Sequence, residues 1–168
     1  MKYLSIILCF LLVGCHYTDV AMVNQQKMVL ITLYFPEKVS HRLVEEKRFV
    51  PKETMTTIEN KISTVLEELQ KGPNNQLLES PFPKSGRMKL NHFSAHMAVV
   101  DFNSEFVKAY CGGSSDEYLI LYSITNSLIK IPEVNCVSFT VEGEETELFK
   151  GNFDLTETFL FSIDEAEE

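Results

Sequence analysis

Few side chains in this 168-residue sequence are of a type and spacing that could do chemistry. The histidines are His16, His41, His92 and His96. His92 and His96 bracket an expected hairpin turn and could approach each other, yet a metal site takes three or four convergent ligands and no partner carboxylate is evident beside them. Exposed hairpin positions explain them more simply. Asp101 follows an apolar run and Asp154 sits in the stretch Gly151-Asn152-Phe153-Asp154-Leu155-Thr156, so either could be imagined as a general acid or base. Neither has a partner at a fixed spacing, and turn or cap roles account for both. Ser114 and Ser115 follow Gly112-Gly113, as in a nucleophile loop or a phosphate cradle. The elbow pattern Gly-x-Ser-x-Gly is missing, however, and no lysine follows the glycines, so a helix N-cap is the simpler reading. Asn126 falls inside an apolar helical stretch, where a buried amide needs hydrogen-bond partners. Fastening the helix to neighbouring backbone is preferred there over a binding contact. No catalytic, cofactor or metal assignment follows from these residues.

The strongest chemical signal is a cysteine near the start. Lys2 is followed by an apolar run from Tyr3 to Val13, broken only by Ser5, and then by Gly14 and Cys15. A membrane-spanning helix needs ~20 apolar residues, so a run this short reads as a secretory signal that is removed. Leu12-Val13-Gly14-Cys15 is similar to a bacterial lipoprotein box. There a cysteine thiolate takes a diacylglyceryl group as a thioether and the signal is cut just before it. An ordinary signal with an incidental cysteine is the plainer alternative, but position and neighbours together favour lipid on Cys15. Acyl chains contribute ~0.8 kcal/mol per buried methylene, and two of them anchor a protein stably. The expected membrane partner is therefore lipid through Cys15, on the extracytoplasmic face of a cell membrane. Cys9 would leave with the signal, and Cys111 and Cys136 would remain. A helix of about four turns between those two would hold its ends ~25 Å apart, too far for a disulfide, so free thiols are expected.

Composition sets the outer bounds. With 45% apolar and 23% charged residues the chain is an ordinary globular sequence, and its length suits one domain. A formal charge of −9 argues against general nucleic-acid binding, which draws its affinity from Lys and Arg on phosphates.

The elements that must position these residues are short. Val29 to Phe35 alternates as a strand buried on most of both sides, and a weaker strand from Leu43 to Val50 carries enough charge to suggest a sheet edge. Thr56 with Glu59 has capping-box spacing, and Ile58, Ile62, Val65, Leu66 and Leu69 then recur at helical spacing until Gly72-Pro73. Arg87–Phe93 and His96–Phe102 form a hairpin turning near Ser94-Ala95. Ser104 to Val107 suits a helical turn. Ser114 with Glu117 makes a second capping box, opening a helix through Ile129 that should be more buried than the first. Val137 to Val141 is a half-buried strand, turned at Glu142-Gly143-Glu144 with a short return near Glu147 to Phe149. Order should decline beyond Leu155. The expected layout is 1–14 signal, 15–27 lipidated cysteine and tether, 28–157 domain and 158–168 acidic tail. The element order implies an α+β fold, a single-domain two-layer sandwich with a small mixed sheet and two helices on one face.

Several of these segments together resemble the GerM domain of sporulation and spore-germination lipoproteins. They are Ile31-Thr32-Leu33-Tyr34-Phe35, Leu66-Glu67-Glu68-Leu69 running into Lys71-Gly72-Pro73, and Val99-Val100-Asp101-Phe102-Asn103-Ser104-Glu105-Phe106. The closest stretch is Gly112-Gly113-Ser114, then Glu117, then Ser123-Ile124-Thr125-Asn126-Ser127-Leu128. Val137-Ser138-Phe139-Thr140-Val141-Glu142-Gly143 and Gly151-Asn152-Phe153-Asp154-Leu155-Thr156 complete it. Asn152 replaces the family's usual histidine, and Glu157-Thr158-Phe159 stands where a proline usually follows the Asp-Leu pair. The resemblance implies a non-enzymatic, membrane-anchored module related to ring-building domains, working in the assembly of an envelope complex with protein partners or copies of itself. It also marks Gly112, Gly113, Ser114, Glu117, Asn126, Gly143 and Asp154 as motif positions. A ligand-binding envelope lipoprotein, taking a cell-wall fragment or a germinant, is the alternative reading. An envelope hydrolase ranks below both.

Overall fold

A computed structural model of the chain describes residues 27–146 and 153–162. Leu12, Val13, Gly14, Cys15, the rest of the signal and tether, and the expected return near Glu147 to Phe149 lie outside those residues.

Strand β1 (Met28–Pro36) pairs antiparallel with β2 (Leu43–Pro51), setting Leu30 opposite Phe49 and Tyr34 opposite Glu45. Ile31, Leu33 and Phe35 point into the core. A 3₁₀ turn, Lys52–Met55, leads into α1 (Ile58–Gln70), whose Ile62, Val65, Leu66 and Leu69 are buried. The cap of α1 is one residue later than its spacing suggested. Thr57 rather than Thr56 accepts from the Asn60 N–H, at 3.2 Å, and Thr56 instead accepts from the Asn60 side-chain amide at 2.9 Å. Asn60 supplies both contacts, so Glu59 is left on the exposed face.

Strands β3 (Met88–Ser94) and β4 (Met97–Phe102) form the second hairpin. Its two-residue turn is Ala95-His96, both with positive φ (46° and 63°), one position beyond the expected turn. That conformation is the one two-residue hairpins favour, here without the usual Asn or Gly to announce it. Helix α2 (Ser104–Ala109) starts at Asn103, whose side chain accepts from the Phe106 N–H at 3.0 Å. Helix α3 (Ser114–Ile129) then carries the chain across to β5 (Cys136–Val141), which pairs parallel with β4. Parallel neighbours need such a crossover, and α2 with α3 supplies it.

The protein is a small α+β domain, but its strands divide into two sheets, β1-β2 and β3-β4-β5, where one mixed sheet was expected. Helix α3 is the cause. The Ser127 hydroxyl accepts from the Tyr34 N–H at 2.9 Å, and the Ser123 hydroxyl donates to the Tyr34 carbonyl. Helix hydroxyls thus take the place that a neighbouring strand would occupy on β1, and cover that part of its edge.

The aromatic centre of the core is Phe102, stacked on Phe106 at 4.6 Å and on Phe139 at 5.5 Å. Phe159 meets Phe139 edge-on at 5.1 Å. The expectation that order declines past Leu155 is therefore corrected for the described residues. Leu155 and Phe159 are buried, and Phe159 exchanges backbone hydrogen bonds with Val137 at 2.7 and 3.0 Å, bridging β5 on its outer side. Two buried apolar side chains, Leu155 and Phe159, pin the segment once β5 offers its unpaired edge.

Candidate functional site

The residues marked by the sequence gather at three places. The first is the start of α3. Gly113 is the N-cap, and its N–H donates to Asp116 Oδ2 at 3.3 Å. The expected Ser114–Glu117 capping box does not form. Ser114 is already the first helical residue, exposed, and Glu117 is fully buried, turned to accept from the Phe153 N–H at 3.2 Å. A carboxylate that ties the closing segment down cannot also reach back to the cap. Gly112 is required by contact: a Cβ there would stand 2.5 Å from that of Asp116. The Tyr110 hydroxyl donates to the Gly113 carbonyl at 2.5 Å. Burial, then the negative charges of Asp116 and Glu117, push this phenol up to about 12, so it stays a donor at neutral pH.

The second place is the end of β5. Asp101, buried, accepts from the Thr140 hydroxyl at 2.8 Å and from the Gly143 N–H at 2.6 Å. Glu142 and Gly143 both have positive φ (54° and 81°), and Glu142 accepts from the Ser104 N–H at 2.5 Å. Asp101 thus locks the turn that follows β5 onto β4.

Asn126 marks the third. It is fully buried, donates to the Ser162 carbonyl at 2.6 Å and accepts from the Ser162 N–H at 3.1 Å. An amide side chain thereby pairs with backbone as a strand would. Asp154 is exposed and closes its own turn, accepting from the N–H and hydroxyl of Thr156 at 2.9 and 2.6 Å. Those two donors, the hydroxyl first, hold its carboxyl below the usual range.

The charge cluster that sequence reasoning missed lies under β2. Arg48 donates to Glu46 at 2.5 Å, to Glu68 at 2.9 Å and to the Gly72 carbonyl at 2.8 Å. The other Glu46 oxygen accepts from the N–H groups of Asn74 and Asn75, both at 2.9 Å. Arg48 and Glu46 are each only 8% exposed, although charge in β2 suggested a solvated edge. Their parity was the available signal, since both share a face with Val50. Burial raises the Glu68 carboxyl, but the hydrogen bonds from Lys71 and Arg48 outweigh it and hold it below its ordinary value.

Bond-making geometry is sparse among the described residues. His41 and the Ser114 and Ser115 hydroxyls line one surface cleft of about 420 Å³, and His41 Nδ1 stands 3.4 Å from Glu79. No hydrogen bond couples that imidazole to either serine, so base and nucleophile are not joined. His96 Nδ1 contacts the Glu133 carbonyl at 3.0 Å, and His92 is exposed on β3 of the same hairpin. No group of three or more His, Cys, Asp or Glu converges among the described residues. Cys111, exposed, and Cys136, half-buried, carry free thiols. Cys111 borders a second cleft, about 310 Å³, walled by Pro36, Pro81, Phe82, Pro83 and Tyr110. The buried Asp101, Glu117, Ser123, Asn126 and Ser127 each hold backbone in place.

A family model described as sporulation and spore germination, Germane, matches residues 32–147. The chain belongs to this family. The fold is shared with solved structures, among them the following. The first GerMN domain of the sporulation protein GerM from Bacillus subtilis is 21% identical, with a TM-score of 0.61, covering 76% of this chain and 92% of that one. The tandem GerMN domains of the same protein give 21% and 0.60 over 86% of this chain. This chain spans only 50% of that tandem pair. A candidate lipoprotein from Clostridium perfringens gives 18% and 0.52, covering 79% and 87%. No curated protein matches the chain. Among the described residues no helix is long and apolar enough to cross a membrane.

Proposed function

We propose that this Germane-family protein is a non-enzymatic lipoprotein, held on the extracytoplasmic face of a cell membrane through Cys15, that serves the assembly of an envelope complex in sporulation or germination. The observation that carries the reading is how the domain spends its polar groups. Ser123, Ser127, Asn126, Asp101 and Glu117 all bond to backbone and fix one rigid shape. Side chains committed to backbone in this way support a body that works by presenting surfaces. The anchor is supported by the Leu12-Val13-Gly14-Cys15 box and by the candidate lipoprotein among the structural relatives. Two measurements test it. Labelled palmitate should enter the wild-type chain and be lost with Cys15→Ser, and crosslinking in membranes should recover an oligomer or a protein partner. An unlabelled chain would remove the anchor, and crosslinking without any product would remove the assembly role.

A ligand-binding role is the second reading, favoured by the cleft beside Tyr110 and Cys111 with Asp116 and Glu79 on its rim. Saturable binding of a wall fragment or germinant that Leu119→Trp blocks would support it.

A further inference from the structure

The outer face of the β1-β2 hairpin is covered at one end and bare at the other. Over Tyr34, Phe161 packs edge-on at 5.8 Å and the Lys130 ammonium lies 5.3 Å from the ring centre. At the root of the hairpin three large apolar side chains stand open: Met28 and Leu30, each 48% exposed, and Phe49, 65% exposed. Leu30 and Phe49 are cross-strand partners, so they form one patch. Lys47 neighbours Phe49 on the same face. Lys27 and Lys52, joined by a 2.7 Å backbone hydrogen bond, close the root, with Glu53 the adjoining carboxylate. An apolar centre with a cationic rim is unusual on a chain of charge −9.

This is also where the polypeptide leaves the domain toward Cys15. Eleven residues separate Cys15 from Lys27, a reach of at most ~40 Å. We propose that the root face lies on the bilayer, with Leu30 and Phe49 entering the boundary between headgroups and acyl chains and Lys27, Lys47 and Lys52 meeting anionic lipid phosphates. The proposal rests on lipidation of Cys15, which keeps this end of the domain near the membrane. Shallow apolar insertion and basic residues within a Debye length of an anionic surface act together, while the acidic remainder of the chain is repelled. The outcome is one preferred orientation. A second copy is a poorer occupant, because three apolar side chains bury far less than a stable dimer needs and a two-fold contact would crowd the lysines of both copies together.

The chain has no tryptophan, so single substitutions report cleanly. Phe49→Trp, Leu30→Trp and, at the far end of the hairpin, Val39→Trp, whose side chain is 90% exposed, would be made in the full lipidated chain. Each would be reconstituted with vesicles of equal phosphatidylglycerol and phosphatidylcholine carrying brominated acyl chains. Emission from Phe49→Trp and Leu30→Trp should shift to the blue and be quenched at least twofold, while Val39→Trp stays unquenched. Protein that sediments with vesicles but leaves position 49 unquenched overturns the proposal and leaves the anchor standing. If the chain does not sediment, the anchor fails, and the Cys15→Ser chain with excess vesicles decides the face: a blue shift at position 49 supports it and none overturns it. A blue shift that follows protein concentration without lipid assigns the patch to a second copy and likewise overturns it.

Discussion

Two adjacent glycines show how unequal neighbours can be. Gly112→Ala should destabilise the domain by ~1–3 kcal/mol, because the new methyl group meets Asp116 where the chain enters α3. Gly113→Ser, at the N-cap with open space around it, should stay within a few tenths of a kcal/mol of the parent. Urea unfolding of the two variants checks the contrast, and equal losses would mean that the packing at Gly112 is misjudged. Glu68 makes a second residue-level prediction. Its carboxyl is held below the ordinary value against the pull of burial, so the unfolded chain takes up a proton, near pH ~4.3, before the folded one does. The stability it lends is present above that pH and drains away as pH falls through the folded value. Glu68→Gln should therefore show a shallower acid limb than wild type in urea midpoints measured from neutral pH down to about 3. Identical slopes would place the sensitive carboxylate elsewhere, Glu45 being the next candidate, since Tyr34 and Lys130 lower it too.

At the scale of elements, the closing segment is the piece whose importance exceeds its length. Phe159→Ala should cost ~3–5 kcal/mol, a large part of a small domain's stability, because the ring fills space against Phe139. Asn126→Ala should cost less, ~1–2 kcal/mol, and should raise amide exchange at Phe159–Ser162 before it raises exchange in α1. Uniform loss of protection would show that the segment does not open separately. This is also where reading from the sequence reached its limit. Strands and helices showed themselves by period, since β1, α1 and α3 each repeat apolar residues over several turns or alternations. Phe159 opens only a brief alternation with Phe161 and Ile163 before the acidic end, and its role depends on β5 offering an unpaired edge, which no local pattern reveals. The split of the strands into two sheets was hidden likewise, because Ser123 and Ser127 look like ordinary helical polar residues until they sit beside Tyr34. Among the motif positions Asn126 and Asp154 could be read for turn and fastening roles, whereas Glu117 was misassigned to the cap because burial, not spacing, sets its direction.

Taken whole, the molecule joins a hairpin made of near neighbours to a sheet that cannot form until distant parts meet. The Thr140–Asp101 bond alone closes a separation of 39 residues, and β4 finds β5 only after α2 and α3 have been laid between them. Loops of that length are slow to close and are rewarded late. Refolding should therefore run in order, with β1-β2 protected first in pulsed hydrogen exchange and β5 last, and Val100→Ala should speed unfolding more than it slows refolding. Protection appearing together in both sheets would contradict this order. Until β5 arrives, Val137 and Phe139 stay wet and β4 keeps a bare flank, so the interval before parallel pairing is when a crowded chain is most exposed to association with its own kind.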